Sequence, residues 1–249
     1  MLGRQHSSHE AIDAIKIAQS VFPRMSFDLI YARPNQSAQS WKDELTRAIE
    51  LSAGHLSLYQ LTFEKGTRFF DLREAGKLVQ LPDDPSAELY EITQCVTDKH
   101  GLYTYEISNH AIRGEECRHN LVYWRGQDYA GVGPGAHGRL ETPNGRVATA
   151  TRLHPETWYE AVMDHGHGIE KLLHLSATEI ADEFLMMGLR LAEGFDPTRF
   201  EALKGSKINT SKLDYLTQLG FLETLGDGNV RATQKGFLVL NTIIGELAA

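Results

Sequence analysis

Apolar positions recur at helical spacing over residues 8–21, where Ala11, Ile15, Ala18 and Phe22 share one face. A short run rich in strand formers follows at 26–32 (SFDLIYA). The alternation then repeats. Residues 38–51 place Trp41, Leu45, Ala48 and Ile49 on one helical stripe, and 55–63 (HLSLYQLTF) reads as the next strand. A short helix near 67–76 and a longer one over 84–98 lead to a third strand at 103–108 (YTYEIS). Three strands joined by helical crossovers predict a parallel α/β sheet whose ligand edge lies at the strand C-termini. A closed barrel needs about eight strands, so the expectation is the later part of an α/β barrel.

Between about 110 and 150 the periodicity breaks into a Gly-rich, aromatic stretch, ECRHNLVYWRGQDYAGVGPGAHGRL. This segment is too particular for a linker and is expected to line a site. Helical pattern returns after 176. Ser176 with Glu179 forms a capping box, and Ile180, Phe184, Met187 and Leu191 make an apolar stripe. Asp196 then Pro197 starts a second helix, and a third carries Leu213, Leu216 and Leu219 and stops at Gly220. A hairpin turning at GDGN (226–229) and a last helix with Phe237, Leu240, Ile244 and Leu247 complete a winged-helix-like module. The expected division is 1–113, 114–175 and 176–249.

Composition narrows the function classes. The 249 residues carry 25 Lys and Arg against 33 Asp and Glu, a net charge of -8, which opposes a protein that binds by neutralising phosphates. Within 176–249 the balance is seven basic to ten acidic residues, and a groove-entering helix near 210–219 would offer only Lys212. Nucleic acid is therefore not the expected partner of the winged-helix-like module. Cys95 and Cys117, 22 positions apart, form neither a disulfide framework nor a zinc or iron–sulfur spacing. No run approaches the ~20 apolar residues of a membrane span, and MLGRQHSSHEAIDA lacks a signal-peptide core, so a cytoplasmic protein is expected. A helix start at Ser7 and Glu10, so soon after Met1, raises the expectation that Met1 is not a true domain start.

The densest chemistry is Cys117, His119, Asn120, Tyr123 and Trp124. An imidazole beside two aromatics suits a porphyrin or similar planar ring; core aromatics with a carbonyl-capping histidine account for the same pattern. Cys117 reads as a second soft ligand or as a small buried hydrophobe. Gly131, Gly133, Gly135 and Gly138 allow close approach of a nucleoside or phosphate, or simply a tight turn. Asp28 places a carboxylate in an apolar strand, where it faces a ribose or amino group or is satisfied by a helix N-terminus. Arg4 reads as a bidentate carboxylate binder or a solvated charge. Glu106 and His110 again lie at a strand end, with a ligand-binding or a structural hydrogen-bonding role.

Six stretches decide a family. LGRQH (2–6), FDLIYARPNQS (27–37), HLSLYQLTFEKGT (55–67), YEISNHA (105–111), HNLVYW (119–124) and YAGVGPGAHG (129–138) resemble the oxygen-independent coproporphyrinogen III oxidase-like radical SAM family. HNLVYW points to its heme chaperone (HemW) branch. The resemblance covers essentially the whole chain. It implies a partial (β/α) barrel of radical SAM type followed by a winged-helix-like domain. It also implies heme contact at His119, Asn120, Tyr123 and Trp124, and S-adenosylmethionine contact at Arg4, Asp28, Thr62 and His137. Heme and heme-accepting proteins are the implied partners, with peripheral association with membrane heme proteins and a homodimer as further expectations. The alternative function is that of the decarboxylating oxidase itself. At Ala32, Arg33 and Asn35 the chain departs from the family's usual glycine, leucine and glycine or lysine. The larger departure is the missing C-x3-C-x2-C triad that holds the [4Fe-4S] cluster. The expectation is a chain truncated at its N-terminus, which assembles neither cluster nor cleavable cofactor; catalytic residues stay unassigned, and a non-functional remnant is a third reading.

Overall fold

The computed structural model describes residues 7–248. They divide into two compact units, Met1–Glu116 and Cys117–Ala249, and each is taken by itself.

The first unit opens with α1 (Ser8–Val21), started by the capping box in which Ser7 Oγ accepts from the Glu10 amide while Glu10 accepts from Ser7. β1 (Asp28–Tyr31), α2 (Ala38–Glu50), β2 (His55–Gln60), α3 (Arg68–Glu74), α4 (Asp83–Lys99), β3 (Tyr103–Glu106) and β4 (Asn109–Ala111) follow. β1 and β2 are parallel, Asp28 opposite Ser57, with α2 as the crossover. The sheet order β1-β2-β4-β3 corrects the expected run of three parallel neighbours. Residues 103–111 form a hairpin, and its short return strand, antiparallel to both neighbours, lies between β2 and β3. α2 and α4 supply Trp41, Leu45, Ile49, Leu89 and Val96, which pack with Tyr31, Leu56 and Leu58 into one core. Trp41 stacks on Tyr31 with ring centroids 5.0 Å apart.

The second unit holds α5 (Arg118–Trp124), β5 (His137–Thr142), β6 (Gly145–Thr151), α6 (Pro155–His165) and β7 (Ile169–His174). Within the non-periodic stretch beyond 110 the chain forms α5, β5 and β6, the loop 125–136 stays irregular, and a three-stranded antiparallel sheet, β5-β6-β7, continues to 174. The helical part is as patterned. α7 (Ala177–Gly188) starts on the Ser176–Glu179 capping box, and α8 (Pro197–Lys204) on Asp196 with Pro197 in its first turn. α9 (Thr210–Gln218) is capped by Asn209, and β8 (Leu222–Thr224) turns into β9 (Val230–Ala232). Phe195, opposite Val230, adds an isolated bridge to that hairpin. The last helix is two pieces, α10 (Gln234–Phe237) and α11 (Leu240–Ala248). Phe184, Phe195 and Phe200 pack edge to face at 6.4 and 6.2 Å in the centre of this module.

Candidate functional site

α5 carries the HNLVYW residues. One helical turn separates His119 from Tyr123, so the two lie on one face. Tyr123 Oη and His119 Nε2 are 2.8 Å apart, and the rings meet edge to face at 4.7 Å. Tyr129 packs edge to face with Tyr123 at 4.4 Å. His119 is exposed, Tyr123, Trp124 and Tyr129 are half-buried, and no residue of α5 is fully buried. His119 is thus a surface imidazole set against the Tyr123 ring.

Three devices hold these rings. Arg125, at the C-terminus of α5, forms a two-pronged ion pair with Glu193 at 2.7 and 2.8 Å. Tyr129 exchanges both backbone hydrogen bonds with Arg139 of β5, at 2.8 and 2.9 Å. Arg139 in turn pairs with Glu183 of α7. Burial raises the Tyr129 hydroxyl above its usual range, with nearby Arg139 opposing.

The glycine loop serves this fold. A Cβ on Gly131 would lie 2.3 Å from the His137 carbonyl oxygen, and one on Gly138 would lie 2.5 Å from Thr149 Oγ1. Two backbones cross there at a distance only glycine permits. Thr151 Oγ1 donates to the Gly133 carbonyl at 2.6 Å and accepts from the Ala136 amide at 2.8 Å, fastening the loop onto β6.

In the first unit, the registers place Asp28, Ser57, Asn109 and Glu106 in one row across all four strands. Side chains directly opposite one another share a face, so the four make a continuous polar row across the sheet. Its two ends lie on the two edge strands, Asp28 exposed on β1 and Glu106 fully buried on β3. Burial raises the Glu106 carboxyl, opposed by hydrogen bonds donated by Asn109 Nδ2 and the Ser108 amide. Asn109 Oδ1 is buried without a hydrogen-bond partner. Asp28 also lines a cavity of about 1000 Å³ between α1, β1 and α2, with Ile15, Leu29, Arg33 and Glu44. Arg33 pairs with Glu44 through both guanidinium nitrogens.

Of the S-adenosylmethionine positions, Asp28 reaches this cavity and the polar row; Thr62 is exposed beyond the end of β2 and outside the cavity lining; His137 opens β5 in the second unit; Arg4 lies outside the described residues. Glu106 braces the β3–β4 turn, and His110 lies in the core near Gln94. Sequence reading passed over Ser57, Asn109 and Tyr129. Ser57 and Asn109 become visible only when the strands are set in register. The contact of Tyr129 with Tyr123 depends on the Tyr129–Arg139 pairing.

A HemN C-terminal domain matches residues 175–239. Over 98% of its length the chain is 34% identical to the heme chaperone HemW of Escherichia coli, covering 63% of that protein. It is likewise 34% identical to radical S-adenosyl methionine domain-containing protein 1, mitochondrial, of Danio rerio, covering 57% of it. Over nearly its whole length the chain is similar to HemW-like radical SAM proteins. Its fold is that of the coproporphyrinogen III oxidase (HemN) from Escherichia coli, a radical SAM enzyme, with a TM-score of 0.74 over the whole chain and 60% of that structure at 17% identity. No closed barrel is present among the described residues. This HemW-like chain thus spans about 60% of the length of the relatives it matches.

The iron–sulfur cluster of a radical SAM protein does not fit the residues here. Cys95 is exposed on α4, Cys117 caps α5 in the other unit, and no group of three or more His, Cys, Asp or Glu among the described residues can hold a metal ion.

Proposed function

We propose that this chain carries heme on the His119 face of α5 and passes it to acceptor proteins, the role named for its HemW relatives. The observation that supports this reading is the exposed His119 imidazole standing against Tyr123, which in turn packs with Tyr129. An imidazole is an ordinary axial ligand for heme iron, and half-buried aromatic rings offer an apolar wall for the macrocycle. Asn120 and Trp124 complete the motif on the same short helix. Heme is cargo here, not a resident cofactor, so the protein residues need only hold it and let it go. No helix among the described residues is long and apolar enough to cross a membrane. A cytoplasmic location, peripheral contact with membrane heme proteins and a homodimer belong to the same proposal.

The polar row from Asp28 to Asn109, with its orphaned Oδ1, suits a ligand bearing hydroxyl and amino groups. On that ground we carry Asp28 as an S-adenosylmethionine contact; Arg4, Thr62 and His137 are carried on the family resemblance alone. No step of radical chemistry follows from this chain, because the thiolates that would hold the cluster are not in it. The decarboxylating oxidase shares the fold, but its chemistry requires that cluster.

Titrating hemin into the purified chain tests the reading. A Soret shift that saturates near one equivalent and disappears in His119→Ala is expected. An unshifted band, or one indifferent to His119→Ala, defeats it.

A further inference from the structure

The atom of His119 best placed to take iron is already engaged. Nε2 is the ring nitrogen farther from the backbone, and Tyr123 Oη lies 2.8 Å from it. In either tautomer this nitrogen is occupied: it accepts the phenolic proton or donates its own. Iron coordination needs the same lone pair, unprotonated and facing outward. The hydroxyl does not drift into this position by chance. Tyr123 follows His119 by one helical turn, and its ring is in edge contact with both the imidazole at 4.7 Å and Tyr129 at 4.4 Å, which restricts its movement.

We propose that Tyr123 is a latch on the heme ligand: its hydroxyl holds His119 Nε2 in the empty protein and must release it before iron binds. This inference rests on the reading of His119 as the heme ligand and adds what controls it. The latch serves a carrier. A ligand nitrogen left open binds stray metal ions and holds cargo tightly, whereas one closed by an internal hydrogen bond binds more weakly and has a partner to return to when heme departs. Tyr123 is therefore a positioning residue that acts through His119. No bond to heme is assigned to its oxygen.

The latch makes a signed prediction opposite to that of a simple structural or heme-contacting tyrosine. Tyr123→Phe keeps the ring and its packing and removes only the competing oxygen. A neutral hydrogen bond of ordinary net strength, removed from the empty state alone, raises hemin affinity roughly three- to tenfold. The gain should come in the association rate, because the opening step precedes ligation, and leave the dissociation rate nearly unchanged.

The experiment uses the full 249-residue chain as wild type, Tyr123→Phe, His119→Ala and the double variant, with hemin followed by Soret absorbance at equilibrium and by stopped flow. The latch is supported when Tyr123→Phe binds faster and tighter than wild type and the double variant loses the signal with His119→Ala. It is overturned, with the His119 reading intact, when Tyr123→Phe binds equally or more weakly while His119→Ala abolishes the shift. A Soret shift unaffected by His119→Ala, or none in wild type and Tyr123→Phe alike, overturns both. Far-ultraviolet circular dichroism of Tyr123→Phe matching wild type assigns a weakened affinity to lost contact and not to unfolding, and that result too counts against the latch.

Discussion

Arg139 Nε lies 2.9 and 3.0 Å from the two carboxylate oxygens of Glu183, pinning strand β5 to helix α7. Both side chains are about a quarter exposed, so the pair keeps more of its Coulomb attraction than a surface ion pair does. Through the backbone exchange between Arg139 and Tyr129, and Tyr129's packing on Tyr123, the brace reaches the His119 face. Glu183→Gln should cost about 1 kcal/mol, seen as a lower midpoint in urea with an unchanged slope. Replacing both residues, Arg139→Met with Glu183→Leu, should cost less than the two single changes added together.

A buried pair in the other unit should respond more strongly. Trp41 Nε1 donates to Thr93 Oγ1 at 2.9 Å in the fully buried seam of α2 and α4. Thr93→Val leaves the indole N–H without an acceptor and should cost about 1–3 kcal/mol. Trp41→Ala opens a cavity and should cost about 3–5 kcal/mol. Chemical denaturation monitored by circular dichroism measures both, and a Thr93→Val cost near zero would contradict the buried hydrogen bond.

Ala32 sits at φ +55°, a left-handed conformation that strains any residue with a Cβ. The glycine that the family resemblance implies at this position would relieve that strain. Ala32→Gly should leave stability within about 1 kcal/mol, since relief of strain offsets lost burial and added chain entropy. Ala32→Val, branched at Cβ in the same conformation, should destabilise by about 2 kcal/mol or more. Thermal melts that rank valine above glycine would refute the assignment.

Acid should unfold the first unit through His110. Burial lowers its pKa to about 3, with the neighbouring charge of His55 adding to the effect. A base whose folded pKa is depressed takes up protons more readily when unfolded, so stability falls as pH drops from about 6.5 toward 3. His110 alone accounts for about 2 kcal/mol lost between pH 6.5 and pH 5. His55 is also lowered by burial and works in the same direction, whereas Glu106, raised by burial, opposes it above about pH 4.5. His110→Gln should remove most of the slope between pH 6.5 and 5, read as urea midpoints at several pH values.

The legibility of this fold follows burial on one face. The α2 stripe of Trp41, Leu45, Ala48 and Ile49 is buried as spaced, and both Ser-x-x-Glu boxes and the Asp196–Pro197 start form as read. β4 escaped because Asn109, His110 and Ala111 are three residues, two of them polar, buried between neighbours, so they carry no alternation. β7 escaped for the opposite reason: IEKLLH is exposed at every position, and its two faces are not distinguished by burial. The break between α10 and α11 is hidden by a continuous apolar run, yet Gly236 lies so close to the Phe221 carbonyl that a side chain there is excluded. At the candidate site, the His119–Tyr123 spacing was visible in the motif, while the Tyr129 wall depends on a strand pairing ten residues away.

β1 has only β2 for a neighbour among the described residues, and α1 beyond it turns Ile17, Val21 and Phe22 toward solvent. Among the described residues the other side of β1 carries no strand and presents backbone donors and acceptors beside a largely apolar groove. Such an edge recruits any extended peptide that can lie along it, including a second copy of itself. The practical result is a ceiling on protein concentration: dilute solutions should remain monodisperse, and light scattering should rise steeply on concentrating, before any ligand is added.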